Sequence, residues 1–219
     1  LAVCVSDLAA SGASPLAFTL ALTLPVVDEN WLSEFSAALA QTASEFGVVL
    51  VGGDTTRGPL CMSLQVMGSA PAGGAQIGDL IYVSGSVGDA HAALACLDQA
   101  PQNLNDDQRY LLARYHAPTP RLALGFKLRN LATAAIDISD GLAADLTHIV
   151  NASGVAAVLN LQNLPISPAL QRTGDAVDSA LSGGDDYELC FTVPASRRAD
   201  IAVLSESLNL ALTEVGYIE

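Results

Sequence analysis

Basic residues are scarce: 9 lysines and arginines stand against 23 acids in 219 residues, a formal net charge of −14. Such a surface repels nucleic acid phosphates and anionic lipid, which makes both poor candidate partners, and no nucleic acid or membrane partner is expected. Long apolar runs are absent too, none approaching the ~20 residues that span a bilayer. Leu1-Ala2-Val3-Cys4-Val5 has no basic region before it and Asp7 just after it, which is not the pattern of a signal peptide. Only four cysteines occur, far apart and with no C-x-x-C, so neither a zinc site nor a redox pair is suggested. Buried, reduced thiols in a cytoplasmic protein are the expectation. No Gly-x-Ser-x-Gly and no P-loop is present, which removes support for triad hydrolases and Walker-type NTPases. His91, His116 and His148 lack ligand spacing and read as ordinary packed or surface histidines. An initiator Met is missing, the first residues read as mid-strand, and the chain is expected to be a fragment.

Half of the residues are apolar and 15% are charged, the balance of a packed globular chain. The elements alternate as in an α/β or α+β protein. Strands are expected at Leu1 to Val5, Phe18 to Leu24, Val48 to Val51 (buried), Cys61 to Met67, Leu80 to Ser84, Ala134 to Ile138, Ala157 to Leu161, Glu188 to Val193 and Leu212 to Ile218. Asp28 opens a helix whose Trp31, Phe35, Leu39 and Phe46 recur at helical spacing, with Gly47 as its C-terminal cap. Further helices are expected from Gly88-Asp89 to Leu97, over Asp106 to His116 and Arg121 to Leu131, and from Ser139-Asp140 to Gly154. The small, uncharged stretch Ser69 to Ala75 marks a domain boundary, giving domains 1–70 and 71–219.

Four junctions join an apolar strand to an acid: Val5-Ser6-Asp7, Gly53-Asp54, Ile136-Asp137-Ile138-Ser139-Asp140 and Gly183-Gly184-Asp185-Asp186. Strand ends along one sheet edge converge, and packed carboxylates repel unless a cation or a raised pKa neutralises them. Mg²⁺ suits such a cluster, being hard and oxygen-seeking. Each junction has a plainer reading. Asp7 and Asp140 are candidate helix N-caps, Asp54 a turn residue, and Gly183-Gly184-Asp185 a hairpin turn. Repetition favours the cluster, and capping leaves Asp137 unexplained. Gly52-Gly53 permits close backbone approach to a phosphate, and Arg57 is placed to pair with one.

Five strings occur in order across nearly the whole chain: Ser6-Asp7-Leu8-Ala9-Ala10, Val51-Gly52-Gly53-Asp54-Thr55-Thr56-Arg57-Gly58-Pro59, Gly78-Asp79-Leu80-Ile81-Tyr82-Val83-Ser84-Gly85, Ala135-Ile136-Asp137-Ile138-Ser139-Asp140-Gly141-Leu142, and Ser182-Gly183-Gly184-Asp185-Asp186-Tyr187-Glu188-Leu189-Cys190-Phe191-Thr192-Val193-Pro194. Together they resemble the thiamine-monophosphate kinases, relatives of aminoimidazole ribonucleotide synthetase and selenophosphate synthetase. The resemblance implies an α/β (α+β), two-domain synthetase-like fold, with a homodimer formed through the N-terminal sheets. Apolar strands at Leu1 to Val5 and Phe18 to Leu24 would supply the pairing edge.

It also implies ATP-dependent phosphorylation of thiamine monophosphate by direct in-line transfer, assisted by several Mg²⁺ ions. Asp7, Asp54, Asp137 and Asp140 match metal ligands; Gly53, Asp54 and Ser139 match nucleotide contacts; Asp185 matches a substrate-holding acid that is usually Glu. No catalytic residue beyond the metal ligands is implied. The family's upstream Gly-Asp-Asp segment falls before Leu1, its last segment beyond Glu219, and an Arg-bearing loop expected near Gly73 to Gln76 is missing. The alternatives are another ATP-dependent synthetase of the same superfamily, a non-catalytic Mg²⁺-nucleotide-binding subunit, or an acidic domain with incidental helix caps.

Overall fold

Alternation of side chains along the strands decides the layers. In a computed structural model, which describes residues 1–69 and 73–219, two sheets form. The larger has the order β5-β7-β4-β8-β6, built from β4 (Asp79–Ser84), β5 (Ala134–Asp137), β6 (Ala157–Leu159), β7 (Leu189–Pro194) and β8 (Leu212–Ile218). Every pairing in it is antiparallel. Ile81, Val83 and Cys190 point to one face, where α6 (Leu142–Ser153) lays Leu142, Leu146 and Ile149 on them. Leu80, Tyr82, Leu189, Phe191 and Val193 point to the other, against α5 (Leu122–Leu128) and α9 (Arg198–Leu208). Both faces are covered, so β4 is buried throughout and β7 up to Val193.

The smaller sheet has the order β2-β1-β3, with β1 (Ser14–Leu24) between β2 (Val49–Arg57) and β3 (Cys61–Ser69). Its crossover is α2 (Glu29–Phe46), capped at one end by the Asp28 carboxylate, which accepts from the Asn30 and Trp31 amides, and at the other by left-handed Gly47. Ala43 and Leu39 of α2 pack on Phe18, with Val48, Leu64 and Val66 around them.

Several expectations are corrected here. Leu1 to Val5 is not a strand; α1 (Ala2–Ala10) is a helix that buries Val5, Leu8 and Ala9 at i, i+3, i+4 spacing. A five-residue apolar run is too short for periodicity to separate helix from strand. Phe18 to Leu24 lies in a central strand, not an edge. Of the strand expected to be buried, only Val48 is; Val49, Leu50 and Val51 are 61%, 49% and 60% exposed, because β2 is an edge strand. That strand does not stop at Asp54 but continues to Arg57. Cys96 and Cys190 are buried, as expected, whereas Cys4 lies half-buried in a helix and Cys61 is exposed. The boundary stretch Ser69 to Ala75 falls partly outside the described residues.

The two sheets are joined by α1. Its Ala9 and Ala10 belong to the cluster on the larger sheet, while Leu1 packs beside Phe46 of α2. Close approach demands Gly125 in α5, where an added Cβ would lie 2.0 Å from the Ala9 carbonyl oxygen. Arg129 completes the joint, donating to the Ser14 hydroxyl at 2.8 Å and the Ser69 carbonyl at 3.2 Å.

Candidate active site

Three chain segments meet at one end of the larger sheet. They are the middle of α1, the link from β5 to α6, and the turn that leads into β7. Backbone hydrogen bonds lace the last two together: Asp185 N donates to Ser139 O at 2.9 Å, Tyr187 N to Ile138 O at 2.9 Å, and Ile138 N to Glu188 O at 2.8 Å.

Asp137 ends β5 and is 5% exposed, and its Oδ2 has no hydrogen-bond partner. Burial raises its pKa; the Ser6 hydroxyl nearby pulls it back, and the Asp7 charge pushes it up again. The Ser6 approach stops short of a formed bond, so Ser6 Oγ is also orphaned. An unpartnered buried carboxylate oxygen is costly unless a cation joins it. Asp7 is exposed on α1, its pKa raised by partial burial. It lies mid-helix, so it is neither a strand end nor an N-cap.

Asp140 is not a cap either. The residue before α6 is Gly141, and the Asp145 carboxylate accepts from Ser139, Asp140 and Gly141 amides at 2.9, 3.0 and 3.1 Å. The Asp140 side chain is therefore exposed and free of any ion pair or hydrogen bond among the described residues. His148, one turn beyond Asp145, brings a ring nitrogen within 4.8 Å of donor oxygens from Asp140 and Asp145. From the sequence, Asp145 has no assigned role and His148 reads as an ordinary packed or surface histidine. An acid in the first turn of a helix was the available signal for Asp145.

Asp54 stands apart. It is exposed on β2, its carboxylate accepts from the Thr55 amide at 2.8 Å, and no described interaction connects it with Asp7, Asp137 or Asp140. Its neighbour Gly53 has φ +149°, and a Cβ there would lie 1.8 Å from Leu20 O. The strand register slips just before it, between Leu50 and Gly52, and close packing on β1 already requires that glycine. Ser139 is half-buried, and its hydroxyl makes no hydrogen bond among the described residues.

The turn before β7 is not a hairpin; it joins α8 (Ala176–Ser182) to the strand. Asp185 is exposed and its Oδ1 accepts from the Tyr187 hydroxyl at 3.0 Å. The next acids point inward. Glu188, 1% exposed, accepts from Ser84 Oγ at 2.6 Å, Arg114 Nη2 at 2.8 Å and Arg121 Nε at 2.7 Å. Arg114 comes from α4 (Asp106–His116) and also lies 3.8 Å from Asp89, the first residue of α3 (Asp89–Ala93). Burial opposes the Arg114 charge, but Glu188, Asp89 and Asp186 outweigh it and hold its pKa above the usual value.

Asp186 accepts from the amides of Gly88 at 2.5 Å and Ala90 at 3.2 Å. Burial pushes its carboxyl up to about 7, against the pull of those two amides and Arg114, with Asp89 adding to the rise. An unfolded aspartate titrates near ~3.9, so between pH 4 and 7 the folded chain holds a proton that the unfolded chain has released. The stabilisation is complete below about pH 4 and is lost as pH rises through about 7. In thermal melts from pH 5 to pH 8, the wild type is therefore expected to lose stability relative to Asp186→Asn. A constant difference between the two would show that the carboxyl is ionised throughout.

Residues 1–70 match the AIR synthase related protein N-terminal domain, and residues 76–219 its C-terminal domain. Thiamine-monophosphate kinase of Salmonella typhimurium is 50% identical over 100% of this chain, which spans 70% of that protein. The crystal structure of thiamine-monophosphate kinase from Stenotrophomonas maltophilia superposes with a TM-score of 0.92 at 47% identity, covering 99% of this chain and 73% of that one. AaThiL complexed with AMPPCP and TMP superposes with a TM-score of 0.87 at 28% identity, over 100% of this chain and 72% of that one. With two family domains matched in order, half the residues shared along the whole of this chain and the same fold, the chain belongs to the AIR synthase related family and, within it, to the thiamine-monophosphate kinases.

Proposed function

We propose that this chain catalyses ATP-dependent phosphorylation of thiamine monophosphate to the diphosphate. The observation that carries the reading is the orphaned, buried Asp137 carboxylate beside Asp7, on the strand whose link to α6 bears Asp140, in a fold whose relative binds AMPPCP and TMP. Both reacting groups are anions, so their approach is the main obstacle. Asp7, Asp137 and Asp140 offer hard oxygen donors, one of them buried without a partner, which fits Mg²⁺. Bound there, Mg²⁺ supplies charge screening and alignment for in-line transfer. Asp54 would join this set from the smaller sheet, where Gly53 and the Ser139 hydroxyl across the site are assigned to the nucleotide.

The chain's own residues hold and orient. Asp145 fixes three backbone amides and so sets where Asp140 points. Asp185 presents its carboxylate to the thiamine portion of the acceptor. The acceptor phosphate is itself the nucleophile, so no general base is assigned and no phosphoenzyme is formed. Residues 1–70 and 71–219 are taken as the two domains. The uncovered apolar residues of the smaller sheet, Val49, Val51 and Met62 among them, are assigned to a homodimer contact. An enzyme spending ATP belongs in the cytoplasm, and no helix among the described residues is long and apolar enough to cross a membrane.

The test is an assay of the full-length protein with ATP and Mg²⁺, comparing thiamine monophosphate with free thiamine. Product from the monophosphate alone is expected, and Asp54→Asn is expected to abolish it with the melting temperature unchanged. Turnover of free thiamine, or near-wild-type activity of Asp54→Asn, would refute the acceptor or the Asp54 assignment respectively.

A further inference from the structure

The turn before β7 carries two strained residues. Asp185 has φ +67° and Tyr187 φ +52°, both in the left-handed region that suits glycine. A Cβ crowds the backbone there, and a bulky aromatic is a rare occupant. Such strain persists only where the surroundings over-determine it. Here they do. Asp186 is fixed to the start of α3, Glu188 to Arg114, Arg121 and Ser84, and the intervening amides to Ser139 and Ile138. A Cβ on Gly184 would lie 2.2 Å from Ser139 O, so the turn is also pressed flat against the link that bears Asp140.

This strained backbone turns residues 185 and 187 to the same side, while 186 and 188 are buried on the other. The Tyr187 hydroxyl then donates to Asp185 Oδ1 at 3.0 Å. Burial, Asp185 and the nearby Asp137 and Asp7 carboxylates raise the phenol well above its usual pKa, so it stays a donor. Where the resemblance has Glu, this chain has the shorter Asp185 on an exposed turn. A carboxylate there has free rotamers unless one oxygen is tied down.

We propose that Tyr187 is a positioning residue that ties Asp185 Oδ1 and so aims Oδ2 at a donor group on the heteroaromatic, cationic end of the phosphorylated acceptor. The proposal rests on the assignment of Asp185 to the acceptor. The tie acts through Asp185 alone, so loss of the Tyr187 hydroxyl changes recognition of one substrate only.

The test compares wild type, Tyr187→Phe, Asp185→Asn and the double variant of the full-length protein, measuring KM for each substrate and thermal stability. Phenylalanine keeps the ring and the backbone while removing one hydrogen bond. Tyr187→Phe is expected to raise KM for thiamine monophosphate roughly 3- to 12-fold, with KM for ATP and the melting temperature unchanged. The double variant is expected to be no worse than Asp185→Asn alone, since the hydroxyl acts through that carboxylate. Unchanged KM for the acceptor in Tyr187→Phe, with Asp185→Asn impaired, overturns the positioning role and leaves the Asp185 assignment standing. An additive double variant, or a lowered melting temperature with unaltered KM, overturns it too. Normal KM in Asp185→Asn removes the Asp185 assignment and this proposal together.

Discussion

Asp137→Asn is expected to lower kcat roughly a thousandfold, the scale of several kcal/mol of lost charge stabilisation. The same change is expected to leave the metal-free protein at least as stable as the wild type. The reason is the orphaned Oδ2: without a cation, the wild-type chain confines a carboxylate whose pKa burial has already raised. An amide of the same shape carries no charge to bury. Adding Mg²⁺ should then raise the melting temperature of the wild type and not that of the variant. Activity, and melts with and without Mg²⁺, check this together. An active variant, or one stabilised by Mg²⁺ as much as the wild type, would remove Asp137 from the metal site.

Glu188→Ala is expected to have the largest effect on stability. It strips the shared partner from Arg114 and Arg121, whose side chains are only 15% and 19% exposed. Breaking a buried pair by removing one member costs about 3–5 kcal/mol, because the remaining charge has nowhere to go. At this chain length that is a fall in melting temperature of roughly 10 °C. Glu188→Gln should lose less, since its side-chain oxygen still accepts from Ser84 Oγ. By contrast, water screens the exposed pairs Arg172–Asp107 and Arg198–Glu214, and breaking either should leave the melting temperature nearly unchanged. A melting temperature unchanged by Glu188→Ala would mean that water solvates both arginines.

Both predictions concern residues that a reading of the chain treats very differently. Asp137 was legible because an acid at the end of an apolar run needs an explanation, and capping does not provide one. Asp140 was legible as an acid but not as a free one: only the structure shows that Asp145 takes over the cap. Asp7 was placed at a strand end and turned out to be mid-helix, yet still beside Asp137. Glu188 and Tyr187 lay inside a recognisable string without individual roles. The partners of Glu188, Arg114 on α4 and Arg121 at the start of α5, are set by how those helices pack on the turn, and Asp185 meets Tyr187 only through the turn's left-handed backbone, which no local pattern encodes.

Local chemistry settled much from sequence alone. The Asp28 and Gly47 caps bounded α2, alternation marked the central strands, and the ordered acid-bearing strings pointed to the family. These depend on residues within one turn or one strand of each other, where propensity and periodicity act directly. What the tertiary structure decided was which surfaces were covered. A short apolar run became helix α1 because it had two sheets to bridge, and Val49 to Val51 stayed exposed because β2 is the edge of its sheet. Burial also turned three neighbouring acids of one turn to opposite uses: Asp185 faces out, while Asp186 and Glu188 are locked inside. Burial is a property of what packs against a residue from far along the chain, and the energy of a carboxylate depends on it more than on its neighbours in sequence.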